Sequence, residues 1–373
     1  MLPTFEPQSH EALSVQIHLK DRGVKHIKIS EAQKVYQVYE FIQQIGHGSF
    51  GVVVLAIEKN NNKHWAIKIV NKTIAGASKL TEIGREIKIL KLVNHPNIIY
   101  LDKVYESPKK IYMVLELCKK GLNDVYLQKR PFSEKVSKNI FIQLVNAIWY
   151  LHKNDIVHRD VKMDNILIAN NPDERNDEYY IKLTDFGLSV VKTGVGIESF
   201  MTDYCGTVTY MPPEIIEMKT YSELCDVWAI GVILYMMLFG KLPFGGFNED
   251  EIKRKICTEE PHYDKTGVNS EAIDLLRTIL EKDPVQRVTA AQIKEHPWVD
   301  KRAKIIGKDQ NIVQLMKRFR SELDRGSNGS GKSVRGLSII IDDFDQLLDP
   351  NLNRCELQTI SRRRYSTKNN PKR

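Results

Sequence analysis

The spacing of apolar residues changes twice along this chain, and each change marks a boundary. Residues 1 to about 38 are polar and weakly patterned, which predicts a flexible N-terminal extension. From residue 39, short runs rich in β-branched residues follow one another at 41–46, 52–58 and 64–70. The turn-forming strings GHGSFG and KNNNK separate them, predicting three antiparallel strands. Within 80–93, Leu80, Ile83, Ile87 and Leu90 recur at helical spacing and leave Glu82 and Glu86 one turn apart. Two more apolar stretches follow NHPNII, the second ending in IYMVLELC at 111–118. From Ser133 the helical period dominates, through 133–153, 227–240 and 271–282. The run at 227–240 is too short to span a bilayer comfortably and reads as a buried helix. Strands first and helices after predict an α+β chain of two lobes, with a small β-rich N-lobe over 39–117 and a large, mainly helical C-lobe over 118–299.

Composition narrows the class. A chain of 373 residues, 42% of them hydrophobic, can bury a substantial core. The five cysteines, Cys118, Cys205, Cys225, Cys257 and Cys355, are scattered and lack CxxC pairing, so neither a disulfide framework nor a zinc cluster is implied. The N-terminal residues lack the basic-then-apolar order of a signal peptide, so a reducing, cytoplasmic location is expected. The net charge of +8 raises nucleic acid and membrane as partners. Basic residues crowd the last twenty positions and elsewhere alternate with acidic neighbours, the distribution of a solvated surface, so neither partner is expected. The chain is expected to be a monomer.

The residues that carry chemistry come in order. Gly46, Gly48 and Gly51 form G-x-G-x-x-G, a string that dinucleotide-binding folds also use. Here strands are expected on both sides and no helix starts at the third glycine, so the string reads as a hairpin whose backbone N–H groups approach phosphate. Lys68 alternates with Ile67 and Ile69 and, taken alone, is an ordinary surface lysine. With Glu86 as an ion-pair partner and the glycines upstream, it reads as a phosphate ligand. HRDVKMDN at 158–165 supplies Asp160 as a proton acceptor, Lys162 to neutralise a transferring phosphate and Asn165 as a magnesium ligand, and Asp185 of DFG adds a second metal contact. Hard oxygen ligands and few protein donors suit Mg2+. Four motifs in this order exclude a chance Asp- and Asn-rich turn and point to phosphoryl transfer.

Over about residues 39–299 these strings resemble the eukaryotic protein kinases, and LHKNDIVHRD with EHPW resembles the calcium/calmodulin-dependent group. The resemblance implies ATP and Mg2+ as cofactors. Lys162 two residues after Asp160, and Thr207 in CGT, resemble the class that phosphorylates Ser and Thr hydroxyls of protein substrates. It places adenine against Ile45, Val53, Ala66 and Leu167, hinge hydrogen bonds at Glu116 and Cys118, and Leu115 as gatekeeper. Asp226 is expected to brace the catalytic loop, and Glu214 with Arg287 to form a buried pair beneath the activation segment. A pseudokinase-type binding scaffold is the competing reading; intact Lys68, Glu86, Asp160, Asn165 and Asp185 argue against it.

Three departures from the family pattern bear on substrate and control. Pro212-Pro213-Glu214 replaces Ala-Pro-Glu and stiffens the segment that supports the substrate. Leu122 stands where basophilic relatives carry an acid, leaving Asp164 to meet a basic peptide residue. Arg159 precedes Asp160, a pairing that goes with activation-loop phosphorylation, yet the matching position is already acidic in Asp203 and lies beside Thr202, a candidate modification site. The C-terminal tail, 300–373, adds a basic amphipathic helix over 311–323, expected to dock against the helical lobe or to bind calmodulin and so to regulate activity. GSNGSGKS at 326–333 matches the P-loop expression but lacks a preceding strand and a following apolar helix, and reads as a Gly/Ser linker. Ser338 and Ser366, each preceded by arginine, resemble phosphoacceptor sites.

Overall fold

The computed structural model describes residues 19–48, 51–174, 177–192, 201–264 and 267–300. The expected tail helix, the Gly/Ser linker and the tail serines lie outside the described residues, as do residues 1–18.

Strands β1 (Lys25–Lys28), β2 (Tyr39–Gly48), β3 (Gly51–Glu58), β4 (Lys63–Asn71), β5 (Leu101–Glu106) and β6 (Lys110–Glu116) form a six-stranded sheet in the order β1-β5-β6-β4-β3-β2. The alternation of β4 sets its two faces. Trp65, Ile67 and Ile69 join Tyr112, Val114 and Tyr39 in an outer core, while Ala66 and Val70 join Met113, Leu115 and the helix α2 (Lys72–Leu92) in an inner one. Lys68 therefore shares the inner face with the helix that carries Glu86. That helix begins earlier than its apolar period suggests, capped by the Asn71 side chain, and a non-helical Gly76 (φ 71°) breaks its first turn.

The flexible extension expected over 1–38 ends well before residue 38. Strand β1 pairs in parallel with β5, and the short helix α1 (Gln33–Val38) covers the outer sheet face with buried Val35, beside buried Ile29. Few apolar residues do this work, and the strand partners of β1 lie more than seventy positions downstream, so no local period announces the segment.

The helical lobe is built on two apolar helices. In α4 (Glu134–Lys153), Ser133 caps the N-terminus, and Ile140, Phe141, Leu144, Ile148 and Leu151 line the buried face. Helix α6 (Leu224–Phe239) is buried from Cys225 through Leu238 and ends at Gly240 (φ 75°), where only a left-handed backbone closes the helix. This is the buried helix that 227–240 predicts. Helices α3 (Leu122–Lys129), α5 (Pro213–Ile216), α7 (Glu249–Thr258), α8 (Ser270–Ile279) and α9 (Ala290–Lys294) complete the lobe. Among the described residues no helix is long and apolar enough to cross a membrane.

Short strands place the loops that matter. Strand β7 (Lys120–Gly121) pairs with β9 (Ile166–Ala169), which pairs with β10 (Tyr180–Leu183). Strand β11 (Val190–Val191) returns to pair with β8 (Ile156–Val157). The loop 158–165 leaves β8 and the loop 184–189 enters β11, so this one pairing sets the two loops side by side.

Candidate active site

The glycine string forms a β2–β3 hairpin, with Gly48 opposite Gly51 and Gly46 opposite Val53. This is a hairpin and not the start of a helix, as the flanking strands predict. Glycine is obligatory at Gly51: a Cβ there would stand 1.9 Å from the Ile69 carbonyl oxygen on β4. Residues 49 and 50 at the tip lie outside the described residues.

Behind the hairpin, the Lys68 ammonium donates to both oxygens of Glu86, at 2.7 and 2.9 Å. Glu86 is only 2% exposed, so the carboxylate has lost its water and holds the lysine in return. Burial works against a charged Lys68, but Glu86 and then Asp185 outweigh it and hold the amine above its ordinary pKa. Asp185 is likewise opposed by burial and held below the usual carboxylate range by Lys68 and His158. The two groups thus stabilise each other as ions. Asp185 adopts a left-handed backbone (φ 66°), and Gly187 N–H donates to its Oδ1 at 3.4 Å. The next residue, Phe186, is fully buried with its ring 4.8 Å from that of His158.

Asp160 is the centre of a polar cluster. Its Oδ2 accepts from Lys162 Nζ at 2.7 Å and Asn165 Nδ2 at 3.1 Å, and its Oδ1 accepts from Thr207 Oγ1 at 3.1 Å. Lys162 also reaches Thr207 Oγ1 at 3.0 Å. Asn165 Nδ2 donates in addition to the Asp160 carbonyl at 2.8 Å, leaving Oδ1 as its acceptor for a cation. The four residues that the sequence proposed for this loop and its substrate side therefore meet within hydrogen-bond reach.

The loop backbone hangs on a buried carboxylate. Asp226, at the start of α6, accepts from His158 N and Arg159 N, each at 2.8 Å, and His152 Nε2 stands 2.9 Å from it. Burial opposes the charge, while His152 and the loop's own groups hold Asp226 below the usual range. Asp226 was legible in DVWAIG; His152 was not, because its partner lies 74 residues away. Arg159, itself at φ 68°, spreads its guanidinium over Leu188 O (2.6 Å), Asp203 Oδ2 (2.9 Å) and Tyr221 OH (3.3 Å). Thr202 is exposed beside Asp203. Further down the segment, Glu214 and Arg287 form a two-pronged pair at 2.6 and 2.9 Å.

The remaining expected residues lie on β2, β3, β4, β6 and β9 and in the link that follows β6. Ala66 faces Leu115 across β4 and β6, and Val53 faces Lys68 across β3 and β4. Ile45 is largely exposed on β2 and Leu167 is half-buried on β9. Glu116 closes β6: its N–H donates to Tyr100 O at 3.0 Å, and its carboxylate accepts from Tyr100 N and pairs with Lys182 at 2.9 Å. Burial and then Glu116 push the Cys118 thiol up to about 12, so it is a neutral wall of the hinge and not a reactive thiolate. Asp164, expected to face a basic peptide residue, already accepts from Asn123 Nδ2 at 2.8 Å. Arg85 was not foreseen; its Nη1 donates to Gly187 O at 3.0 Å and ties α2 to the DFG loop.

A metal held here would need few protein ligands. Among the described residues no cluster of three or more His, Cys, Asp or Glu could hold an ion by itself. The donor chemistry of Asp185, an ionised carboxylate, and Asn165, whose amide oxygen is left to accept, fits a Mg2+ ion that keeps water and phosphate as its other ligands.

Comparison with known proteins agrees with this geometry. Residues 39–299 match the family described as protein kinase domain, and the chain belongs to that family. It is 39% identical over 313 residues to serine/threonine-protein kinase 33 of Mus musculus, which covers 82% of this chain and 64% of the relative. The protein of the same name from Bos taurus is 39% identical over 304 residues, 80% of this chain and 62% of its own length. Myosin light chain kinase A of Dictyostelium discoideum is 36% identical over 270 residues, 71% of this chain and 89% of that protein. The chain thus spans less than two thirds of the length of the first two relatives.

Proposed function

We propose that the chain is a serine/threonine protein kinase that transfers the γ-phosphoryl group of ATP to Ser or Thr hydroxyls of proteins. The observation that carries this reading is the Asp160 cluster beside an intact Lys68–Glu86 pair. Bound Mg-ATP supplies the activated phosphoryl group; the chain supplies position and charge. The Gly46–Gly51 hairpin and Lys68 hold the phosphates, and Asp185 and Asn165 hold the ion. Ile45, Val53, Ala66 and Leu167 enclose the base, with hinge backbone at Glu116 and Cys118. Asp160 orients the acceptor hydroxyl and takes its proton. Lys162 sits 2.7 Å from Asp160 and neutralises charge on the group in flight. Thr207, bonded to both, supports the acceptor side. The free cysteines fit a reducing compartment. The basic amphipathic pattern at 311–323 supports regulation by the tail. Phosphate transfer from Mg-ATP to a degenerate Ser/Thr peptide library tests the reading. Transfer to Ser and Thr peptides supports it; ATP binding without transfer to any peptide would favour the scaffold.

We also infer that Asp203 stands in for an activation-loop phosphate. Its carboxylate already holds Arg159, whose side chain is 3% exposed, although Asp203 itself is 71% exposed and well screened. Asp203→Asn should lower kcat about three- to fivefold, the scale of an ion pair worth up to about 1 kcal/mol. The assay uses protein shown by mass spectrometry to be unmodified at Thr202. An unchanged rate would remove Asp203 from control.

A further inference from the structure

We propose that Arg22, seventeen residues before the segment matched by the family, is a positioning residue that locks α2 so that Glu86 meets Lys68. The inference deepens the kinase reading and rests on it.

Helix α2 ends at Leu92, and the last carbonyls of a helix have no partner within it. Arg22 supplies two of the missing donors: its backbone N–H bonds Lys91 O at 3.0 Å, and its Nη2 bonds Leu90 O at 2.7 Å. The same Nη2 bonds Leu101 O at 3.0 Å, at the first residue of β5. The guanidinium lies 4.6 Å from the centre of the Tyr100 ring. Tyr100 is bonded in both directions to Glu116 of the hinge, through Tyr100 N to Glu116 Oε1 and Glu116 N to Tyr100 O. A positive charge also suits the negative end of the helix dipole.

The placement makes this more than a surface cap. Leu90 follows Glu86 by about one helical turn, roughly 6 Å along the axis, so the clamp acts next to the residue it would steer. Arg22 is itself held, because Asp21 Oδ1 accepts from Gly23 N at 2.8 Å where the chain turns through φ 72° into β1. Strand β1 then fixes the segment along β5 from Lys25–Lys103 to Lys28–Glu106. Glu106 gathers His26 and Lys72, which joins the strap to the start of α2 as well as to its end. The strap thus holds the C-terminal end of the helix that carries Glu86 directly, and it reaches Lys72, on the far side of the Gly76 break, through Glu106, while Nη2 of one guanidinium bridges the Leu90 and Leu101 carbonyls.

The test is a double-substitution cycle in the full chain, with amide hydrogen exchange as a second readout. Arg22→Ala should lower kcat about three- to tenfold, the scale of coupling through packed elements, with a smaller change in the KM for peptide. Arg22→Lys should recover part of the loss. In an Glu86→Gln background, Arg22→Ala should cause no further fall, since the pair it serves is already broken. Exchange should rise in 80–92 and not in α6. Equal losses in both backgrounds overturn the proposal, as does unchanged exchange in α2 or a general rise across both lobes. If the unsubstituted chain transfers no phosphate, the proposed function fails, and exchange in α2 decides the Arg22 clamp on its own.

Discussion

Asp160→Asn is expected to lower phosphoryl transfer by about 10²–10⁴-fold, the usual worth of a positioned general base, while ATP affinity stays within about threefold. The substitution keeps the size of the side chain and removes its charge. Three donors, Lys162 Nζ, Asn165 Nδ2 and Thr207 Oγ1, now converge on the two carboxylate oxygens. An amide offers one oxygen and turns an N–H₂ group towards some of those donors, so the cluster loses bonds and Lys162 loses its counter-charge. The acceptor hydroxyl loses both its orienting partner and the destination of its proton. The main grip on the nucleotide is spared, because Lys68, Glu86 and Asp185 form a separate cluster on α2, β4 and the DFG loop, and Asn165, which bonds Asp160 Oδ2, keeps its second bond to the Asp160 carbonyl. Radiolabelled transfer gives the rate and isothermal calorimetry the ATP affinity. A variant that keeps a tenth of the activity would remove Asp160 as the base; one that loses ATP binding as well would show that the two clusters are not independent.

The second large effect is on stability. Arg287→Met should cost about 3–5 kcal/mol, the range for breaking a buried ion pair from one side. Its guanidinium is fully buried and Glu214 is 3% exposed. The arginine makes two bonds to Glu214, reaches Leu224 O, Glu281 O and Lys282 O at 2.9 to 3.3 Å, and lies 5.0 Å from the Trp228 ring. Removing it strands a carboxylate without water and takes a donor from the Leu224, Glu281 and Lys282 carbonyls. For a lobe of this size the melting midpoint should fall by about 6–20 °C. The double change Glu214→Leu with Arg287→Met should recover much of that loss, because an apolar pair has no buried charge to satisfy. A thermal melt followed by fluorescence separates the cases. A single variant that melts within 2 °C of the parent chain would show that water reaches Glu214.

Much of the site was legible because its chemistry is concentrated in short strings. HRDVKMDN holds Asp160, Lys162 and Asn165 within six positions, and a loop that short must bring them together. Lys68 was readable from strand alternation and Glu86 from helical period, so their meeting needed only that one helix pack on one sheet face. The Glu214–Arg287 pair came from resemblance to a family; nothing local to either residue names the other across 73 positions. The strap 19–38 was misjudged for a related reason. Ile27, Ile29 and Val35 are too sparse to form a period, and a parallel strand pairing has no turn to announce it. His152, Arg85 and Asn123 went unnoticed because a polar residue on an amphipathic helix looks alike whether it meets water or a buried partner.

The order of apolar periods by itself determined two lobes, the first strands after residue 39 and the helices over 80–93, 133–153, 227–240 and 271–282, and short polar strings proposed the reacting groups, because burial periodicity and loop chemistry are local properties of a chain. Only the tertiary structure decided that Asn123 occupies Asp164, that His152 meets Asp226, that Arg85 reaches Gly187 and that Arg22 caps α2. Those choices depend on distances between segments far apart in sequence, and they are set by how sheet and helices pack once water has left the space between them.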